Sequence, residues 1–231
     1  MEEWTLQATL RNTTPTLMEN DTKDLLCSII IDKRMTDLKS INMEKEGLIR
    51  GLRTLRENRV VVKELVTDAS TTIAAMMKNQ YPDITHTFDT WHGAKNFGKK
   101  IGAVAAETRN KDLRPWVPDL INHFWHCCQI ANGNEDVLLA RWRGALYHVP
   151  NVHEWISGDD AIEPKCEELE EKEDDKWLEA GSPAHEALTH VMLDTRFLHN
   201  LHHYANFRHT GELETFHEHI LVNCAKRFAY T

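Results

Sequence analysis

The sequence predicts an α/β protein whose sheet contains parallel strands, and three features carry the prediction. Two β-branched runs, VVVKELVTD (60–68) and ITHTFD (84–89), each end in an aspartate and lead directly into a helical segment. A third apolar run, LLCSIIID (25–32), has the uninterrupted character of a strand buried on both faces. Strands separated by helices in this way pair in parallel, with the helices packed on the faces of the sheet.

In chain order, WTLQATLR (4–11) alternates Trp4, Leu6, Ala8 and Leu10 with Thr5, Gln7, Thr9 and Arg11, the period of a strand. TPTLMEN (14–20) and LLCSIIID (25–32) read as two short strands joined by a polar turn at Asp21–Lys23. From about Ile41 to Asn58, Leu48, Ile49, Leu52 and Leu55 recur at helical spacing among charges. After the strand at 60–68, a helix near Ser70–Asn79 closes before Tyr81-Pro82, where proline disfavours continuation. The strand at 84–89 leads into a helix over WHGAKNFGKKIGAVAAE (91–107). Residues 115–148 are helical and dense in tryptophan and histidine, namely Trp116, His123, Trp125, His126, Trp142 and His148. An acidic, Pro- and Gly-punctuated loop covers about 150–182, a helix spans Pro183–Asn200, and the last helix runs from about Gly211 to Arg227. The expected organisation is a first core segment at 1–114, a helical insertion at 115–200 with its acidic loop at 159–179, and a closing core helix within 201–231.

Composition narrows the function classes. An apolar fraction of 41% with 27% charged residues is that of a globular chain. No uncharged apolar run approaches the roughly 20 residues needed to cross a bilayer, so no membrane partner is expected. The opening MEEWTLQATLRN lacks a basic region followed by an apolar stretch, which reads as an intracellular protein that is not secreted. Five cysteines (Cys27, Cys127, Cys128, Cys166 and Cys224), odd in number and unevenly spaced, fit reduced thiols rather than a disulfide framework. The net charge of −9 counts against nucleic acid until it is located: Asp159–Glu179 holds eleven acidic residues and three lysines, which accounts for eight of the nine charges. Residues 95–114 instead carry Lys95, Lys99, Lys100, Arg109, Lys111 and Arg114 against Glu107 and Asp112, a basic face compatible with DNA and also with an ordinary solvated helix.

Asp68 and Asp89 stand at the carboxyl ends of two neighbouring strands, the rim where open sheets with parallel strands collect ligands and catalytic groups. Carboxylates gathered there repel one another unless a cation such as Mg²⁺ or Mn²⁺ neutralises them, although two aspartates can equally serve only to cap the following helices.

The stretch LVTDAS, a helix of about ten residues, and then YPDITHTFDTWHGAKN resembles a pattern found in bacterial and Mutator-like DDE transposases. In that pattern an aspartate after a strand precedes a helix, an aromatic- or proline-marked turn, another strand and a D/C-x-x-H element with a basic helix. Here those elements are Asp68, Tyr81-Pro82 and Asp89-x-x-His92 leading to Lys95. TGELETFHEHILVNCAKRFAY resembles the final helix of the same families, with the carboxylate at Glu214 by register and Glu212 as its rival. The likeness runs from Thr14 to Tyr230, and its eukaryotic members often carry a THAP-type DNA-binding domain upstream.

The resemblance implies a ribonuclease H-like mixed sheet flanked by helices and interrupted by an all-helical insertion. It implies two Mg²⁺ or Mn²⁺ ions held by carboxylates, with Asp68 second and Glu214 third, for in-line attack on a DNA phosphodiester. Asp89 and His92 would brace the site, and Lys95, Lys99 and Lys100 would contact phosphates. DNA is then the partner, the nucleus the compartment, and self-association a further option. The first carboxylate of such a centre belongs on the sheet's first strand, yet nothing acidic occurs between Glu3 and Glu19. The sequence therefore reads as a core whose first strand is missing or replaced by WTLQATLR, with cleavage and strand transfer lost. The alternative is a domesticated, non-catalytic DNA- or protein-binding module. A small-molecule phosphate enzyme using Asp68 and Asp89 ranks last, because no glycine-rich phosphate loop is present.

A structural zinc could be held in the insertion by Cys128, His148, His153 and Cys166, with Cys127 and His126 equally placed competitors. The His199, His202 and His203 cluster reads as surface or packing histidine, and the seven tryptophans as packing, with base stacking the other reading for one in the insertion.

Overall fold

The computed structural model describes residues 3–9, 15–36, 40–152 and 177–223. The chain divides into two compact units, one built from Met1–Asp89 with Arg208–Thr231 and the other from Thr90–Phe207.

The first unit is a five-stranded mixed sheet in the order β3-β2-β1-β4-β5. Its strands are β1 (Glu3–Thr9), β2 (Thr16–Glu19), β3 (Leu25–Ser28), β4 (Val61–Thr67) and β5 (Thr85–Phe88). β1 pairs antiparallel with β2, which pairs antiparallel with β3, while β1–β4 and β4–β5 are parallel. The alternation of WTLQATLR thus produces the middle strand of the sheet. Of the two expectations for the first strand, missing or replaced by WTLQATLR, the second is the one seen: Glu3–Thr9 forms it, ladder-bonded on both sides.

Two helices, α1 (Ser40–Glu57) and α2 (Thr71–Gln80), cover one face of the sheet. Leu6, Ala8, Leu17 and Leu65 from the strands pack there with Leu48, Leu52 and Leu55 of α1 and Ile73, Met76 and Met77 of α2. α1 lies close over β2 because Gly47 and Gly51, one turn apart, have no Cβ; one built on Gly51 would come 2.8 Å from Leu17 Cδ1. Ser70 caps α2, and the helix ends at Tyr81 ahead of Pro82 as the sequence predicts.

LLCSIIID departs from expectation. Only Leu25–Ser28 is strand, and it lies at the sheet edge with no fully buried residue rather than buried on both faces. Beyond it Ile31 is buried while Ile30 is exposed, so the run's apolar character serves one packing position, not a two-sided core strand.

The second unit is helical: α3 (Thr90–Ala106), a 3-10 stretch Thr108–Trp116, α4 (Val117–Ala131), α5 (Glu135–His148), α6 (Pro183–Met192), α7 (Thr195–Leu201) and a 3-10 turn His202–Tyr204. It is larger than the 115–200 expected, since it takes in α3 and the 3-10 stretch. The reason is packing. Phe97 of α3 meets Phe124, Trp142 and Phe197 at ring separations of 6.2, 4.9 and 6.0 Å, so α3 belongs to the aromatic core of the helices. Gly93 lets α3 approach Tyr204, whose ring a Cβ would strike. Trp142 is fully buried and its indole N–H donates to Met192 O at 2.9 Å. The caps Asn134, Ser182 and Asp194 open α5, α6 and α7.

His123 lies inside this core, stacked on Trp142 at 6.0 Å with Nε2 3.1 Å from Arg141 O. Its burial pushes the imidazole down from 6.5 to about 4, with the Trp142 and Arg141 carbonyls opposing. The folded state therefore holds His123 neutral, while the unfolded chain takes up a proton as pH falls below about 6.5. Stability from this group is complete above that pH and lost toward pH 4. Urea unfolding is expected to show a loss of about 1 kcal/mol between pH 6.5 and 5.5 that is absent in His123→Gln. Equal slopes in the two proteins would refute the assignment.

Candidate functional site

The strand period of two sends one set of side chains to α1 and α2 and the other to the opposite face, which is polar. Register aligns Thr5 with Glu64 and Thr85, and Gln7 with Val66 and Thr87. Gln7, Glu64 and Thr87 are buried there. Glu64 accepts Thr87 Oγ1 at 2.6 Å, Arg208 Nε at 3.0 Å and Nη2 at 2.9 Å, and Thr5 Oγ1 at 3.4 Å. This buried charge on β4 is a residue of the polar face that the sequence does not single out.

α8 (Gly211–Asn223) comes onto this face against β1. Its entry is fixed by Asp89. One oxygen of that buried carboxylate accepts the Thr210 backbone N–H at 2.6 Å and the Thr210 hydroxyl at 2.7 Å. Thr210 is the residue whose carbonyl receives Glu214 N–H in the first helical bond, so Asp89 satisfies a helix-start donor from a neighbouring strand. Asp89 N–H also continues the β4–β5 ladder to Thr67 O at 2.8 Å. The register pairs Thr67 with Phe88, so the next positions, Asp68 and Asp89, stand side by side at the carboxyl rim.

Both candidate glutamates fall in the first turn of α8, where the helix dipole favours negative charge. Glu212 is the one that meets the central strand. Gln7 Nε2 donates to its Oε2 at 3.4 Å and to Asn20 Oδ1 at 3.1 Å. Lys23 Nζ lies 3.4 Å from Oε1, and His209 Nδ1 3.7 Å from Oε2. Partial burial pulls the Glu212 carboxyl upward, but its own backbone N–H, Lys23, Gln7 and His209 together hold it below the ordinary glutamate value. Lys23 reaches Glu212 from the β2–β3 turn, where it adopts φ 64°. The neighbouring turn amides of Asp21 and Thr22 are bound by the Glu19 carboxylate, which leaves Glu19 committed to the hairpin.

Gln7 thus occupies the centre of the sheet where the resemblance looks for a carboxylate. It is fully buried and its Oε1 has no hydrogen-bond partner among the described residues. As donors for a two-metal centre these residues fit poorly: Gln7 offers a neutral amide, and Glu212 already carries Lys23. Among the described residues, no three His, Cys, Asp or Glu side chains gather closely enough to hold a metal ion.

In the helical unit, His92 is buried at the start of α3, its ring edge-on to Trp91 at 4.8 Å. Lys95 Nζ stands 4.4 Å over the Trp91 ring, Lys100 pairs with Asp194 at 3.2 Å, and Lys99 is exposed. Of the zinc candidates, His153 and Cys166 lie outside the described residues. Cys128 is buried and its thiol is pushed far up by that burial, while His148 packs against Trp116 and Trp177 at 6.1 and 5.5 Å. The competitor Cys127 has its Sγ 3.3 Å from His123 Nε2. The His202 and His203 rings lie tilted to each other with centroids 4.0 Å apart.

Compared with family models, curated proteins and solved structures, the chain finds no match in any of the three.

Proposed function

We propose that this chain is a transposase-derived domain, ribonuclease H-like in fold, that no longer cuts DNA and acts in the nucleus by binding it. Support for the fold comes from the strand order and directions: an antiparallel β1–β2–β3 meander, then two parallel strands, with a last helix laid on β1. Asp68 closes β4, and Glu212 and Glu214 ride the first turn of α8, the positions that the transposase pattern assigns to the second and third carboxylates. The observation that carries the non-catalytic reading is Gln7. A neutral amide stands at the middle of the central strand, hydrogen-bonded to a glutamate whose charge Lys23 already offsets. The unpartnered Gln7 Oε1 favours the rival reading, residual metal binding, since an amide oxygen can ligate a hard cation.

Calorimetric titration of Mn²⁺ into the protein and into a variant with Asp68, Glu212 and Glu214 changed to alanine separates the two. The expected result is no site-specific heat in either protein and no nicking of supercoiled plasmid, alongside binding of duplex DNA by the parent. Tight Mn²⁺ binding that disappears in the variant, together with nicking, would replace this reading with that of a working nuclease.

A further inference from the structure

We propose that the exposed line Trp91–Lys95–Lys99 on α3 is a single-stranded nucleic-acid platform, with the Trp91 indole stacking on a base and the two lysines contacting phosphates. The proposal rests on the DNA-binding reading above and gives it a site and a strand preference.

Three observations support it. In a chain of net charge −9, the 17 residues of α3 carry three lysines and no acidic side chain. The basic groups of the region then sort themselves. Lys100 is taken by Asp194, Arg109 by Glu107 at 2.8 Å, and Arg114 by the carbonyls of Ala105 and Ala106 at 2.9 and 3.0 Å. Lys95 and Lys99 remain on α3 with no ion pair among the described residues. They continue the line of Trp91 at four-residue steps, about 6 Å apart along one helix face.

The third observation is the tryptophan itself. Trp116 and Trp142 are fully buried in the helical core, whereas Trp91 is 43% exposed. Lys95 sits over its ring at 4.4 Å, which holds the indole in place and sets a cation at an aromatic that is 43% exposed. An exposed, braced aromatic next to unpaired lysines is the combination that binds single strands without sequence preference: stacking is available to any base, and the backbone is tracked by charge. An acidic peptide would satisfy the lysines but gain little from a flat indole surface.

The test is fluorescence anisotropy of labelled oligothymidylate and of duplex DNA with the full chain over a salt series. Trp91→Ala is expected to weaken single-strand binding about tenfold or more, and Trp91→Phe to keep most of it. Lys95→Ala with Lys99→Ala should reduce the slope of log affinity against log salt by about 1.4, and Lys111→Ala should serve as a charge control with a smaller effect at the aromatic platform. Single-strand binding untouched by Trp91→Ala would overturn the platform while leaving DNA binding standing. Failure of the parent to bind either DNA would overturn both. Binding of a polyglutamate peptide with the same sensitivity to Trp91→Ala would overturn the choice of nucleic acid.

Discussion

Arg208→Ala is expected to lower the free energy of unfolding by about 3–5 kcal/mol, because it strips the guanidinium from a buried carboxylate. Glu64 is 5% exposed on β4, and Arg208 supplies two of its hydrogen bonds while Thr87 and Thr5 supply hydroxyls. The converse change is milder. Arg208 is 34% exposed at its side chain and can turn to solvent when Glu64 becomes glutamine, so Glu64→Gln should cost on the order of 1–2 kcal/mol. Arg208→Met combined with Glu64→Leu should recover most of the loss, since an apolar pair of similar volume removes the desolvation penalty altogether. Urea unfolding of the four proteins checks the ordering. Hydrogen exchange locates the effect, because Arg208 lies two residues before Thr210, whose tie to Asp89 starts α8. An Arg208→Ala protein within 1 kcal/mol of the parent would show that Glu64 is neutralised by something other than this ion pair.

The features legible in the sequence were those set by local period. The β-branched runs before Asp68 and Asp89, the helices that follow them and the turn at Tyr81-Pro82 all appear where side-chain alternation and proline place them. Position within the sheet is a long-range property and was less visible. LLCSIIID has the composition of a central strand and lies at the edge, while the plainer WTLQATLR takes the centre because both its neighbours pair with it. The same limit hid the polar face. Glu64 reads as a charged interruption in VVKELV until Arg208, 144 residues away, closes on it. Register within the last helix could not separate Glu212 from Glu214, since both lie in one turn, and only the β2–β3 turn and β1 bring Lys23 and Gln7 to Glu212. Gln7 is also visible in the alternation as one of several polar positions on the first strand, but a neutral amide carries no local signal that sets it apart from Thr5 and Thr9. Likewise α3 looked like part of the sheet's covering helices, and the burial of Phe97 among Phe124, Trp142 and Phe197 is what assigns it to the helical unit.

Gln7→Glu is expected to convert a quiet hydrogen bond into an unfavourable pair of carboxylates that a proton relieves in acid and a cation at neutral pH. The two side chains are nearly the same shape, so packing is preserved and the change is electrostatic. In the parent, Gln7 Nε2 donates a hydrogen bond to Glu212 at 3.4 Å inside a site with no exposure at Gln7. The variant sets a buried carboxyl against the partly exposed one of Glu212, and both burial and the like charge favour its protonated form. Its folded pKa is then raised above the unfolded value, so the variant should match the parent most closely in acid. It should lose stability as pH rises through the folded pKa, on the order of 3 kcal/mol by neutral pH. Lys23, 3.4 Å from Glu212, offsets one carboxylate and not two. A divalent cation supplies what is missing: with Mn²⁺ at a hundred times its dissociation constant the variant should regain about 2.7 kcal/mol, while the parent gains nothing. Thermal melts of both proteins at acid and neutral pH, with and without Mn²⁺, read all of this in one series. If the parent responds to Mn²⁺ as strongly as Gln7→Glu, the amide is no barrier to metal binding and the non-catalytic reading fails. A variant that is destabilised equally at every pH would mean that the shape of the amide, rather than its lack of charge, is what the central strand requires.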